Sequence, residues 1–151
     1  MTGVVIKNKS AGMLFIGTHS YQNGTETFDY GHSFQSRPTR LSFWYTFAPI
    51  NGEACRAYVV VENREQGMVE LGRGEWVWNT AQNEYAQASV EIKYTNTSLK
   101  ATHMYVVFVS STADSPAVGT DQGSLGAFDG YSDSRYVGNR LTVDDVELIY
   151  E

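Results

Sequence analysis

The chain has 151 residues, of which 42% are hydrophobic and 13% aromatic, and a formal net charge of −6. This size and composition indicate one globular domain with a substantial core, and the negative charge argues against nucleic acid or an anionic membrane surface as a partner, because either would be repelled. No apolar run approaches the roughly 20 residues of a membrane span, and no basic-plus-apolar leader opens the chain.

Short segments separated by turn residues form the first part of the chain. Residues 4–7 and 13–18 predict two short strands with a hairpin-like break between them. The stretch from Tyr21 to Arg37 is rich in Gly, Asn and Thr and carries isolated aromatic residues, which is typical of an ordered surface loop.

Residues 41–48, LSFWYTFA, predict a half-buried strand. Its odd-numbered residues are aliphatic or aromatic, whereas Ser42, Trp44 and Thr46 alternate with them. Because successive side chains of a strand point to opposite faces, Trp44 is expected on the more polar face.

Two later runs, residues 57–61 and 104–109, are apolar on both faces. Such runs predict central strands of a sheet that is covered on both sides. The single cysteine, Cys55, stands at the start of the first run and cannot form an intramolecular disulfide. We interpret it as a buried, inert thiol.

The run MVELGRGEWVWN, residues 68–79, predicts a further strand with an irregularity. Trp76 and Trp78 lie two residues apart and so share one face. Gly72 and Gly74 interrupt the pattern and suggest a kink or a bulge.

The closing segment, LTVDDVELIYE from Leu141 onward, predicts a strand with a bulge. Its apolar residues before and after the acidic pair have opposite parity, so one extra residue must be absorbed at Asp144 or Asp145. With about eight predicted strands and no helical period sustained over three turns, the chain is expected to be all-β. The predicted fold is a single antiparallel β-sandwich domain of jelly-roll type that spans residues 1–151, with little or no helix.

Two motifs carry a resemblance to a known family. They are GHSFQSRPTRL, residues 31–41, and VDDVEL, residues 143–148, and the likeness extends over nearly the whole chain. In this order the sequence resembles the putative carbohydrate metabolism domain family of gut-bacterial surface proteins. The resemblance implies a jelly-roll β-sandwich that is exported to the bacterial cell surface or periplasm, is joined to other β-sandwich domains of the same protein and is associated with glycan use.

The chain departs from that family at two places. Members usually carry further sequence before residue 4, so this chain is either a domain trimmed at its N-terminus from a longer protein or a shorter variant. The segment from Ser110 to Gly138 is also longer than usual. Because the sequence before residue 4 is short, any metal ligands that the family carries there are in doubt. The longer segment from Ser110 to Gly138 could cap or form a site peculiar to this protein.

Sugar recognition needs an exposed aromatic ring for stacking and a few planar polar groups for hydrogen bonds. Trp44 meets the first need, and the other aromatic candidates would widen the platform; the alternative is that the tryptophans fill the core. The polar candidates, His32 and Arg37, lie in the predicted loop that precedes the Trp44 strand. An arginine there can instead hold the loop in place by hydrogen bonds to carbonyl groups or to Asp29. The candidate carbohydrate-binding residues are Trp44, Arg37, His32, Tyr30, Trp76 and Trp78.

The acids of the closing strand support three hypotheses. Asp144 and Asp145 could hold a structural calcium ion, since a bulge can aim several oxygens into one pocket. In the second hypothesis one acid is solvated and the other caps backbone N–H groups at the bulge. The third is catalysis: without a bulge between them, Asp145 and Glu147 would share a face with side chains on the order of 6.5 Å apart, near the range of paired-carboxylate glycosidases.

Three functions remain from the sequence. The first is a non-catalytic carbohydrate-binding module of an exported glycan-handling protein, with a polysaccharide or oligosaccharide as its partner. The second is a structural or interaction domain, an adhesin-like module or spacer, in which all three tryptophans are buried. The third is a glycoside hydrolase, which would need two convergent carboxylates in a cleft; no catalytic residue is assigned.

Overall fold

The computed structural model describes residues 12–114, 116–117 and 138–151. The strand predicted at residues 4–7 and most of the segment between Ser110 and Gly138 lie outside these ranges. In the described ranges no helix is long and apolar enough to span a bilayer. Their strands are β1 (Met13–Phe15), β2 (Gly17–Gln22), β3 (Thr25–Tyr30), β4 (His32–Ser33), β5 (Arg40–Ala48), β6 (Cys55–Asn63), β7 (Val69–Trp78), β8 (Gln82–Glu91), β9 (Lys93–Tyr94), β10 (His103–Val109) and β11 (Arg140–Ile149).

The strands form two main antiparallel sheets and a separate hairpin. The larger sheet has the order β1-β10-β6-β7-β9, with β4 also paired to β10, and the smaller sheet has the order β11-β5-β8. The long strands mostly alternate between the two sheets along the chain, and the β6–β7 hairpin is the exception. This crossing connectivity is that of Greek-key sandwiches and jelly rolls. The prediction of an all-β sandwich is confirmed.

The core lies between the inward faces of the two sheets. Phe43 of β5 is fully buried, and its ring contacts Phe108 and Trp76 edge-on at centroid distances of 5.1 and 5.3 Å. Val59 of β6 is also fully buried. Because β6 pairs with β10 on one side and β7 on the other, the prediction that residues 57–61 form a central strand is confirmed.

The loop predicted from Tyr21 to Arg37 is wrong, because most of this stretch belongs to strands. β2 and β3 pair as a hairpin around Asn23 and Gly24, whose φ angles are 52° and 81°. Two successive residues with positive φ make a turn whose twist matches the strands that it joins. The hairpin therefore forms from the turn chemistry of an Asn-Gly pair.

The β2–β3 hairpin packs against the larger sheet through aromatic rings and Arg64. Tyr30 lies 5.2 Å from the ring of Phe15 and 5.5 Å from that of Tyr105. Arg64, the residue after β6, donates to the carbonyl oxygen of Tyr30 and, at 2.8 Å, to the carboxylate of Glu62. Gly31 has φ +120°, and a Cβ there would lie 2.7 Å from the Arg64 guanidinium.

The glycines of β7 accompany a register irregularity. Val61 is opposite Gly72 but the next residue, Glu62, is opposite Glu70, so Leu71 is an extra residue in β7. The predicted bulge is therefore present beside Gly72. At Gly74 the glycine serves close packing instead, since a Cβ would lie 2.6 Å from a backbone oxygen of Glu91.

The bulge predicted in the closing strand is confirmed. β11 pairs with β5 from Arg140 to Ile149, and the register shifts between Asp144 and Glu147. Asp145 has a φ angle of 46° at the shift. One extra residue is thereby absorbed between the two parts of the strand.

Candidate functional site

Trp44 is an exposed tryptophan on the outward side of the smaller sheet. Its neighbours along β5, Phe43 and Tyr45, are buried in the core, so the alternation of the strand turns Trp44 outward. Its exposed fraction is 39%. Since β5 is the middle strand of this sheet, Trp44 lies between β11 and β8.

Strand pairing surrounds Trp44 with planar polar side chains. Trp44 is directly opposite Asp144 on β11 and directly opposite Gln87 on β8. Opposite residues of an antiparallel pair have Cβ atoms about 4.5–5.5 Å apart. We call this surface the Trp44 face, defined by Trp44, Ser42, Gln87, Asp144 and Glu147. It brings together a tryptophan and an acid that the sequence analysis treated as separate sites.

Gln87 is held in place by a hydrogen bond on the Trp44 face. Its side-chain nitrogen donates to the hydroxyl of Ser42 at 3.0 Å. Ser42 itself is only 2% exposed although it points outward. The amide therefore has a fixed position beside the indole, which favours directional hydrogen bonding to a ligand.

Asp144 caps the backbone of its own bulge. Its carboxylate accepts a hydrogen bond of 2.9 Å from the N–H of Asp145, and Asp145 is exposed. The structure thus agrees with the hypothesis of one capping acid and one solvated acid. The premise of the catalytic hypothesis is wrong, because the bulge falls within the Asp145–Glu147 spacing. Instead, Asp144 and Glu147 both point outward, opposite Trp44 and Ser42.

The calcium hypothesis at Asp144 and Asp145 stays a prediction. Among the residues that the structure describes, no group of three or more His, Cys, Asp or Glu side chains could hold a metal ion. An ion here would therefore need carbonyl oxygens and water in addition to these two carboxylates.

Arg37 lies away from the Trp44 face and ties a loop together. Its guanidinium donates to the carbonyl oxygens of Asn96 and Leu99 and lies 5.0 Å from the centroid of the Tyr94 ring. These contacts match the alternative in which the arginine anchors backbone carbonyls. They leave its planar edge engaged within the protein.

His32 and Tyr30 belong to the part of the molecule around β10. His32 is exposed and opposite Met104 in the larger sheet. The Tyr30 hydroxyl donates to the sulfur of Met13 at 3.7 Å, and burial raises the pKa of this phenol. The structure does not bring either residue to the Trp44 face.

Trp76 and Trp78 pack against the core rather than beside Trp44. Their rings are stacked at a centroid distance of 6.0 Å with planes 6° apart. The ring of Tyr45 contacts Trp76 edge-on at 4.7 Å. Both tryptophans are half-buried, in agreement with the alternative in which they fill the core. Trp76 also lines a cleft of about 510 Å³ beside β8 and Lys93.

In the sequence analysis Gln87 is not named, and Glu147 is considered only as the partner of Asp145 in the catalytic hypothesis. Gln87 has the same parity as Ser89 and Glu91 and opposite parity to buried Val90, so alternation along β8 carried the signal for its outward direction. The alternation does not predict that β8 is the strand that lies beside Trp44.

We expect Cys55 to be unreactive in the folded protein. The residue is fully buried, and burial raises the pKa of its thiol to about 12. Because the thiolate is the nucleophile, iodoacetamide at about pH 8 should label the urea-unfolded chain and not the folded one. Mass spectrometry of both samples measures the difference, and equal labelling would contradict the expected protection.

No family model matches the chain. No curated protein matches it. Solved structures with the same fold include a "putative glycoside hydrolase" from Bacteroides thetaiotaomicron VPI-5482, with a TM-score of 0.57 and 17% identity, covering 93% of this chain and 47% of that one. Another is a "putative glycoside hydrolase" from Bacteroides vulgatus ATCC 8482, with a TM-score of 0.58 and 15% identity, covering 93% and 65%. The chain thus spans about half of one and less than two thirds of the other, and at this identity the likeness shows the fold alone.

Proposed function

We propose that this domain is a non-catalytic carbohydrate-binding module of an exported glycan-handling protein, and that it binds sugar on the Trp44 face. The observation that carries the proposal is the 39% exposure of Trp44 between its two cross-strand partners, Asp144 and Gln87. An aromatic ring flanked by fixed planar polar groups is the arrangement that accepts the C–H face of a sugar and its hydroxyl groups.

The structural relatives support this proposal at the level of protein class. Both are described as glycoside hydrolases, and both are longer than this chain. A binding module joined to further domains of a larger exported protein is a common arrangement for handling polymers, since a second site raises the effective concentration at the substrate. Export and the joined β-sandwich domains are parts of the same proposal.

Replacement of Trp44 by alanine is expected to weaken glycan binding about 10- to 100-fold. An aromatic side chain that the bound partner covers contributes a large share of the binding free energy. A glycan array identifies the ligand, and titration followed by tryptophan fluorescence and calorimetry measures the affinity. Tyr21→Ala is the matched control, since Tyr21 is a 66% exposed aromatic on the β2–β3 hairpin. This control should bind as the wild type does, and circular dichroism checks that both variants are folded.

Two outcomes would contradict the proposal. Equal binding by the wild type and Trp44→Ala would remove the Trp44 face from recognition, and no binding to any glycan would favour the structural or interaction domain. Release of reducing sugar from a bound polysaccharide, lost on Glu147→Gln, would favour the hydrolase instead.

A further inference from the structure

Tyr85 is a second exposed aromatic residue on the same side of the smaller sheet. Along β8 the residues Ala86 and Ala88 point to the core, so Tyr85 and Gln87 point outward with Trp44. The side chain of Tyr85 is 50% exposed. Tyr85 does not belong to the hydrophobic core, so packing does not account for an aromatic residue at this exposed position.

Strand register places Tyr85 directly after the last regular pair of β8 and β5, two residues along β8 from the partner of Trp44. Gln87 is directly opposite Trp44, and the pairing is regular as far as Ala86 and Tyr45. Tyr85 comes next along β8, and in a regular antiparallel pair this position would be diagonal to Trp44, with side chains about 7–8 Å apart. Beyond this point β8 carries extra residues before Gln82 pairs with Phe47. The irregular part begins at Tyr85 and leaves the ring open to solvent.

The two carboxylates of the Trp44 face are not paired with a cation: in the ranges that the structure describes, neither Asp144 nor Glu147 forms an ion pair with a cationic side chain. Arg40, which also points outward from β5, instead lies 3.7 Å from the carboxylate of Glu151 and donates to the hydroxyl of Ser89. Ionised carboxylates only accept hydrogen bonds, so they fit the hydroxyl donors of a neutral sugar. They would repel a carboxylate or sulfate group placed at the same distance.

From these two features, and on the basis of the proposed function, we propose that the Trp44 face binds an uncharged oligosaccharide of at least two sugar units. One sugar stacks on Trp44 and donates hydroxyl hydrogen bonds to Asp144. The neighbouring sugar stacks on Tyr85, and Gln87 lies between the two rings. A single sugar reaches only one of the two aromatic residues.

The first experiment separates ligands by charge and uses native affinity electrophoresis of the full chain. Neutral xylan, galactomannan and mixed-linkage β-glucan are compared with polygalacturonate and chondroitin sulfate. We expect retardation by at least one neutral polymer and by neither anionic one. Retardation by an anionic polymer that equals or exceeds the neutral ones would overturn the inference.

The second experiment tests Tyr85 by calorimetry with the mono-, di- and hexasaccharide of the retained polymer. The wild type should bind the disaccharide about 3- to 10-fold more tightly than the monosaccharide, and Tyr85→Ala should reduce that ratio to near one. Tyr85→Phe is the control, because it keeps the ring and should keep the ratio.

The outcomes of this test are distinct for the two proposals. If Trp44→Ala weakens binding about 10-fold or more while Tyr85→Ala keeps the wild-type ratio, the two-sugar inference fails and the proposed function stands. If Trp44→Ala binds as tightly as the wild type, or no glycan binds to the wild type, the proposed function fails and this inference fails with it.

Discussion

Phe43→Ala is expected to lower the free energy of unfolding by about 3–5 kcal/mol, the range for removal of a buried phenylalanine ring. Phe43 is fully buried and is bounded by the rings of Tyr45, Trp76 and Phe108. These neighbours come from both sheets, so they cannot close the resulting cavity without moving one sheet against the other. Urea unfolding followed by circular dichroism measures the change.

The matched control for this substitution is Val77→Ala. Val77 lies on β7 with 51% of its side chain exposed, so the same kind of truncation should change the stability by less than about 0.5 kcal/mol. A loss below about 1 kcal/mol for Phe43→Ala would show that the sheets do not pack through this ring.

Arg64→Met is expected to cost about 3 kcal/mol and to release the β2–β3 hairpin. The Glu62 side chain is 6% exposed, and its carboxylate lies 2.8 Å from Arg64 Nε. Removing the cation leaves a buried carboxylate without its partner, which costs about 3–5 kcal/mol for a fully buried pair. The lower end applies because the Arg64 side chain is 20% exposed. The hydrogen bond to the carbonyl of Tyr30 is lost as well.

Hydrogen exchange distinguishes this local effect from general destabilisation. Arg64→Met should increase exchange across β2 and β3 more than in β5, because the arginine joins the hairpin to the larger sheet. Arg73→Met is the control, since its ion pair with Glu70 is exposed and contributes about 0–1 kcal/mol. If Arg64→Met increased hydrogen exchange equally in the β2–β3 hairpin and in β5, Arg64 would not specifically attach the hairpin to the larger sheet.

Local alternation was sufficient to predict much of this fold. The two-residue period placed Trp44 outward and Phe43 inward, because every second side chain of a strand must face the core. The parity change around Asp144 predicted the bulge for the same reason. The hairpin at Asn23 was missed, although an Asn-Gly pair flanked by strand-forming residues is a strong hairpin signal. Isolated aromatic residues in a polar stretch are typical of a surface loop, so composition alone gives the wrong prediction for this stretch.

The composition of the site was less predictable than the strands. Trp44 and Asp144 are far apart in the sequence and become neighbours only because β11 pairs with β5. Strand order in a sandwich depends on how connections cross between the sheets, and the period of a single strand does not encode it. The same limit applies to Gln87: alternation along β8 predicts that its side chain points outward, but it does not predict that Gln87 lies opposite Trp44.

The bulge of β11 also bears on how the molecule avoids aggregation. Among the described strands β11 pairs with β5 alone, so it is the edge strand of the three-stranded sheet in the described ranges. Such an edge is a template for another chain unless charges or irregular geometry disrupt it. Asp145, with φ 46°, breaks the ladder in the middle of that edge, and exposed carboxylates stand on either side of the break. The residues that shape the Trp44 face would thus also protect this edge of the sheet from pairing with another copy of the chain.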